Sequence, residues 1–408
     1  MKRIIITILV ILIGMTAFAQ SANMSYYTDE FNRPTATFVS RLRILENVRD
    51  ANLSDIGDFY ADALKTVLIK IPDIKTREDS EASETSARMI CQALAAEKYA
   101  AAAPDLWQLA QYSDIIRDTN DGLTMQEALI ALGQTGDKTF VPHIVQTLDD
   151  INTQQTSDVE TRRRKQRAVA GCISALEALH EIAGYRPVFF AYVGWYDLTI
   201  RNMAYDALPN IVDDPGDVII GIIRDSSNNP SVKLRVWQEM LRTNAPDSSK
   251  AKVAAVALDV GWNYQTSDPA LQRDAKSMRM SAIDTISLLG AADDSVYLNL
   301  DKSYSSNFVN NVPDYDEIRK TINTLTALKT DNAVALLYKY LRDLNERRRS
   351  GVWGNKERQM MQLIVPALGA TGTQSDDVKQ LLTTITNSQD YTGTEQSWAR
   401  DALRRIGN

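Results

Sequence analysis

Histidine and cysteine are nearly absent from this sequence, which has two of each in 408 residues. Neither His143 nor His180 has a second His, Cys or carboxylate at the spacing of metal ligands, whereas a zinc site needs three or four such groups. The motifs of serine hydrolases, phosphate-binding loops and dinucleotide-binding turns are missing as well. We therefore predict a protein that is not an enzyme and has no cofactor and no metal site.

Long apolar runs are also missing, except in the first twenty residues, MKRIIITILVILIGMTAFAQ. Two basic residues precede an apolar stretch over residues 4–13, and Ala17-Phe18-Ala19 has the small-x-small pattern of a cleavage site. This order is typical of a secretory signal peptide over residues 1–19. An uncleaved anchor is the alternative. The pattern predicts a periplasmic protein, with the extracellular space as second choice and no membrane span in the mature chain.

Positive charge is in deficit, because 45 Lys and Arg face 52 Asp and Glu, which gives a net charge of −7. Removal of residues 1–19 would take away Lys2 and Arg3 and no acid, and so make the chain more acidic. A nucleic-acid-binding protein needs a field that attracts phosphate. We therefore expect no nucleic-acid partner.

Strand-like alternation and hairpin turns are scarce, and in their place a helical segment with a central Leu recurs about every 39 residues. The recurring segments are ALIALGQTGD (128–137), ALEALHEIAG (175–184), MAYDALPNIVDD (203–214), AIDTISLLGAADD (282–294), INTLTALKTDN (322–332), LIVPALGATGT (363–373) and WARDALRRIGN (398–408). Most are followed by a second amphipathic run, such as FVPHIVQTL. The pattern therefore predicts a row of antiparallel helix pairs.

These segments resemble the HEAT-repeat family of α-solenoids. Arg201, Ala204, Ala207 and Leu208 match the R-x-x-A-x-x-A-L helix of that family, and ALGQTGD and ALGATG match its A-L-G-x-x-G helix end. Arg279 and Arg358 lie one turn earlier than the family pattern places the arginine. The resemblance covers residues 80–408 and implies an all-α, right-handed solenoid of about nine helix pairs without a sheet.

The segments before residue 80 predict a helical cap. ATFVSRLRILENV (36–48) and IGDFYADALKTVLIKI (56–71) have helical patterns, and residues 72–84 are polar enough for a connector. The predicted organisation is a signal peptide (1–19), a cap with connector (20–79) and a solenoid (80–408). Cys91 and Cys172 would lie about two repeats apart, too far for a disulfide, so we expect two buried thiols.

A basic run, TRRRKQR, precedes the apolar helix 168–184. Ser157 and Glu160 read as a capping box that starts this helix before the arginines and lets it run to Gly184. Arg162, Arg163 and Arg164 are then either the solvated end of a helix or a docking point for an anionic partner. A second run, residues 347–349, is explained by the dipole at a helix C-terminus.

Aromatic residues make up 7% of the chain and cluster in predicted loops. Trp195, Trp262, Tyr264 and Trp353 are the candidates for partner contacts, since Trp and Tyr dominate binding hot spots. The alternative is that each ring folds back and fills a gap between helix layers. Trp353, which is flanked by Gly351 and Gly354, is the ring that packing explains least well.

The leading hypothesis is an exported HEAT-like scaffold that binds a partner protein along its concave face or its loop edge. One alternative is an envelope protein that self-associates, and we expect a monomer or weak self-association. The other is an enzyme on the same scaffold, because solenoids similar to this family include bilin lyases and DNA glycosylases. Fold alone does not decide among them.

Overall fold

A computed structural model describes residues 24–111, 122–309 and 314–407, apart from Asn52, Ser54, Asp55 and Ala291. Within these ranges every regular element is a helix and there is no strand. The all-α prediction is therefore confirmed for this part of the chain. The predicted signal peptide lies outside the described residues.

The chain divides into two compact units, Met1–Asp213 and Asp214–Asn408. The α-helices of the first unit are α1 (24–32), α2 (Phe38–Asp50), α3 (Gly57–Lys70), α4 (Arg77–Glu97), α5 (Ala103–Gln111), α6 (Leu123–Gln134), α7 (Val141–Thr153), α8 (Val159–Leu179), α9 (Tyr185–Val193) and α10 (Leu198–Ile211). Those of the second unit are α11 (Gly216–Arg224), α12 (Pro230–Arg242), α13 (Asp247–Asn263), α14 (Pro269–Leu289), α15 (Asp294–Val309), α16 (Tyr315–Leu328), α17 (Asp331–Arg349), α18 (Asn355–Thr371), α19 (Asp376–Asn387) and α20 (Gly393–Gly407).

Most helices pack against the next helix and against the next but one. In the first unit, α4, α6, α8 and α10 contact one another in succession, and α5, α7 and α9 each contact an even-numbered neighbour. In the second unit, α12, α14, α16, α18 and α20 follow one another in the same way, and α11, α13, α15 and α17 form a second row. Each amphipathic helix thus buries its apolar face against several neighbours.

Alternate helices of the second unit run in the same direction. Arg279 of α14 pairs with Glu317 of α16 at 2.7 Å, and further along the same helices Asp284 pairs with Lys320. Residue numbers rise together in the two pairs, so α14 and α16 are parallel. In both ion pairs, the two partners are separated in sequence by nearly one repeat length.

The A-L-G segments have a steric explanation. A Cβ atom at Gly133 would lie 2.5 Å from the Cα of Ala175 on α8, and one at Gly369 would lie 2.8 Å from the Cα of Ala402 on α20. Glycine is required because no side chain fits between the two backbones. The next glycine along, Gly136, has φ of 73° and ends the helix in the left-handed region.

The N-terminus of α8 differs from the sequence-based expectation. Asp158, not Ser157, is the N-cap residue, and its carboxylate accepts a hydrogen bond from a backbone N–H of the first turn at 2.7 Å. The helix ends at Leu179 rather than Gly184, because His180 adopts φ of 50°. Asp and Ser are both good N-caps, so the sequence alone did not separate two adjacent candidates.

Helix α4 begins at Arg77, inside the segment 72–84 that the sequence predicts as a polar connector. Ser83 and Glu84 are buried on this helix despite their polarity. The two cysteines are buried, free thiols, as expected. Burial raises the pKa of the Cys172 thiol to about 12 and raises that of Cys91 as well.

Candidate protein-interaction edge

The aromatic residues singled out in the sequence all lie where one helix ends and the next begins. Trp262 lies in the last turn of α13 and not in a loop as the sequence predicted, Tyr264 follows that helix, and Trp353 lies between α17 and α18 in the second unit. Trp195 follows α9 in the first unit. All four side chains are half-buried, so each is held against its own unit and still reaches the surface.

Trp262 covers a buried ion pair. The guanidinium carbon of Arg279 lies 4.2 Å from the centroid of the Trp262 ring. Arg279 also donates two hydrogen bonds to the Glu317 carboxylate, at 2.7 and 3.0 Å, and one to the backbone oxygen of Gly261 at 2.9 Å. Glu317 is only 1% exposed. Bidentate geometry with a stacked ring holds this guanidinium in one orientation.

Buried carboxylates recur in the first turns of α16, α18 and α20, at Glu317, Glu357 and Glu395. The backbone N–H of Thr392 donates to Glu395 at 2.8 Å, and Arg358 donates to it at 3.0 Å. Burial alone would raise the pKa of Glu395, but these hydrogen bonds outweigh burial and the pKa is lowered. The acids stabilise the helix N-termini that they cap.

Tyr264 pairs with a buried lysine. The Nζ of Lys233 lies 5.9 Å from the Tyr264 ring centroid, and the Lys233 side chain is 3% exposed. Burial lowers the pKa of Lys233, while the charge of Asp225 acts in the opposite direction. Lys233 therefore belongs to the interior of the second unit, whereas the Tyr264 ring is half-buried.

Phe308, at the end of α15, contacts two cations. The guanidinium carbon of Arg347 lies 5.0 Å from its ring centroid, and the Nζ of Lys356 lies 4.7 Å from it. Arg347 also pairs with Asp343 at 3.0 Å. Lys356 has no carboxylate within 4.0 Å among the described residues.

Trp353 is packed more closely than its sequence context indicates. The guanidinium carbon of Arg348 lies 4.9 Å from its ring centroid, and the Tyr391 ring meets it edge-on at 5.8 Å. Arg348 donates to the backbone oxygen of Asp390 from Nε at 2.6 Å. Burial raises the pKa of Tyr391 to about 12. Packing therefore explains the position of the Trp353 ring, although its indole N–H has no acceptor among the described residues.

These contacts recur along the second unit, and we call them together the cation–aromatic edge. The rings lie at or just after the ends of α13, α15, α17 and α19, and the cations come from the first turns of α12 and α18, the middle of α14 and the last turn of α17. The members of the edge are Lys233, Trp262, Tyr264, Arg279, Phe308, Arg347, Arg348, Trp353, Lys356 and Tyr391. Residue type and predicted loop position marked its aromatic members Trp262, Tyr264 and Trp353 in the sequence. Residues 347–349 were assigned there to helix electrostatics alone, and no signal marked Lys356 or Tyr391.

In the first unit, Trp195 fills a gap between helices. Its ring lies 4.4 Å from that of Tyr196, whose hydroxyl donates to Asn152 of α7 at 2.8 Å. The indole N–H of Trp195 has no acceptor among the described residues. This arrangement favours the packing interpretation for Trp195.

The basic run of the first unit is solvated. Arg162, Arg163 and Arg164 are exposed in the first turns of α8. Arg162 donates to the backbone oxygen of Thr156 at 3.1 and 3.3 Å. Lys165 donates to that of Gln154 at 2.7 Å. The run thus binds the preceding loop of its own chain.

Other potential sites are less distinctive. No group of three His, Cys, Asp or Glu side chains suits a metal ion within the described ranges, and His143 stacks on Trp107 at 5.4 Å. A groove of about 940 Å³ on the second unit has a lining that mixes charged and apolar side chains, among them Asp217, Ile220, Lys252, Val256, Asp259 and Val296.

None of the helices in the described part of the chain combines the length and hydropathy needed to cross a bilayer. Comparison with models of known protein families and with curated proteins found no match to this chain.

Proposed function

We propose that this chain is an exported, non-catalytic scaffold with a HEAT-like α-solenoid fold, in which about nine antiparallel helix pairs stack in a right-handed row. Three observations support the fold. Helices contact the next and next-but-one helix within each unit, α14 and α16 are parallel, and the A-L-G glycines seat one helix on the next but one. Such stacking leaves connecting segments along an edge, where binding surfaces form.

The observation that carries the functional proposal is the cation–aromatic edge. Cations lie on aromatic rings near the ends of α13, α15 and α17, and of these rings Trp262 and Trp353 are half-buried whereas Phe308 is buried. Trp, Tyr and Arg are the residues that most often dominate protein interfaces. Rings and cations that are already fixed lose little conformational entropy on binding. A partner protein is therefore the class of ligand that this edge suits best.

Export rests on residues 1–19. A periplasmic protein processed there would begin at Gln20. Intact-mass measurement on the protein from a periplasmic extract tests this directly. The mass of residues 20–408 supports export, and a cytoplasmic, full-length product contradicts it.

The partner proposal is tested by photo-cross-linking in intact cells. A photoreactive amino acid replaces Val352, which is 52% exposed beside Trp353. The matched control replaces Leu288, which is 86% exposed and lies about 14 Å further along α14 than Arg279. We expect a discrete cross-linked protein from position 352 and not from position 288. The same product from both positions, or from neither, would contradict use of this edge.

A further inference from the structure

Two cations, Arg348 at the end of α17 and Lys356 at the start of α18, flank the connection between these helices. Arg348 and Lys356 are half-buried and lie on aromatic rings, yet neither has a carboxylate within 4.0 Å among the described residues. By contrast, Arg279 and Arg347 on the same edge pair with carboxylates. The two uncompensated charges therefore differ from their neighbours.

Helix electrostatics does not explain both charges. Arg348 is in the last turn of α17, where a cation is favourable. Lys356 is the second residue of α18, where the partial positive charge of the helix N-terminus makes a cation unfavourable. A cation at a helix N-terminus that has no carboxylate partner among the described residues indicates an anionic partner outside the chain.

Apolar surface accompanies these charges. Val352 is 52% exposed although it is aliphatic, and Trp353 is half-buried beside it. We call this surface the Trp353 corner, and it consists of Arg348, Val352, Trp353 and Lys356, with the buried Tyr391 ring beneath Trp353.

We infer that the Trp353 corner binds an acidic segment of a partner protein, in which carboxylates pair with Arg348 and Lys356 and an apolar side chain contacts Val352 and Trp353. This inference rests on the proposed scaffold function and names the chemistry of its partner. A carboxylate gains charge-assisted hydrogen bonds from a guanidinium that stacking already holds in place.

The surroundings favour a carboxylate segment over a polyphosphate. The buried acids Glu357 and Glu395 lie on the same edge, and the whole chain has a net charge of −7. The negative field of the protein would repel a dense row of phosphates. Single carboxylates separated by apolar residues carry less charge, and each can pair with one of the two cations.

The test uses the mature chain and a fluorescein-labelled peptide of sequence EAFEAFEA, in which apolar residues separate the carboxylates, with QAFQAFQA as the control peptide without side-chain charge. Fluorescence anisotropy measures the dissociation constant for the native protein and for the double variant Arg348→Gln, Lys356→Gln. The matched control is Arg404→Gln, Arg405→Gln, which removes two exposed charges at the end of α20. Thermal unfolding of each variant verifies that the fold is retained.

We expect the corner variant to weaken binding of the acidic peptide about tenfold or more, and the control variant to bind as the native protein does. Equal weakening in both variants would overturn the inference, because it would reflect net charge alone. Equal affinity for the two peptides would overturn it too. So would binding to phosphatidylglycerol vesicles through the corner without binding of the peptide.

The result of the peptide-binding test can be distinguished from the result of the cross-linking test of the scaffold proposal. A partner cross-linked from position 352 together with no peptide binding would keep the scaffold and overturn its acidic partner chemistry.

Discussion

The chain has two runs of three arginines, and they have different environments. Arg162, Arg163 and Arg164 lie exposed at the start of α8, where Arg162 donates to the backbone of the preceding loop. In the second run, residues 347–349 at the end of α17, Arg347 and Arg348 are half-buried and lie on aromatic rings. Composition is the same in both runs. The rings brought close by the fold set the second run apart.

The contrast shows what makes a basic run suitable for recognition. An exposed arginine must give up rotamer freedom and hydration when it meets a partner. An arginine stacked on Trp353 has given up much of that freedom on folding. The stacked run should therefore matter both to stability and to binding, and the solvated run to neither.

The largest effect on stability is expected where a stacked arginine also neutralises a buried acid. Arg279→Met leaves Glu317, which is 1% exposed, without its bidentate partner. We expect a loss of about 3–5 kcal/mol in the free energy of unfolding, measured by urea denaturation followed by circular dichroism. Lys320→Met, which breaks the exposed pair with Asp284 on the same helices, should cost about 1 kcal/mol or less. Equal costs would contradict the distinction.

A smaller loss is expected from removing the ring of the Trp353 corner. Trp353→Ala takes a half-buried indole away from Arg348 and Tyr391, and should cost about 2 kcal/mol in the same measurement. Trp353→Phe keeps an aromatic face and should retain most of that stability. No loss in the alanine variant would mean that the ring does not pack as described.

Removing only the stacked charge should cost less again. Arg348→Gln abolishes the cation–π contact and the charged hydrogen bonds to the Asp390 carbonyl, worth about 1 kcal/mol together. Arg349, exposed and next in sequence, provides the control: Arg349→Gln should leave the free energy of unfolding nearly unchanged. If the two variants lost the same amount, stacking would contribute nothing.

The solvated run should give the smallest effect. The double variant Arg162→Gln, Arg164→Gln should change the free energy of unfolding by no more than about 0.5 kcal/mol, as surface substitutions usually do. A loss above about 1.5 kcal/mol would show that this run is structural after all.

Several features of the fold could be predicted from the sequence because they are local. Helix periodicity predicted α2, α3 and α7 close to their observed bounds, and the A-L-G segments predicted helix ends. The requirement for glycine at the A-L-G position could not be predicted from the sequence. It arises because Gly133 of α6 packs against Ala175 of α8, which is distant in sequence.

The candidate edge was only half predictable for the same reason. Trp262 and Trp353 were recognised by residue type, and of the two only Trp353 lies in a loop as predicted. Their cations were not, because Arg279 is 17 residues away from Trp262 in sequence, and Lys356 meets Phe308, which is 48 residues away. Such pairings depend on how helices stack.

The most direct test of the account compares the two arginine runs in the same cells. The photoreactive residue at position 352 is combined either with Arg348→Gln, Lys356→Gln or with Arg162→Gln, Arg164→Gln, so that each variant loses two charges. The yield of the cross-linked partner is then measured by mass spectrometry. The account predicts that the product is lost in the first variant and retained in the second. A product that is retained in the first variant, or lost equally in both, would contradict it.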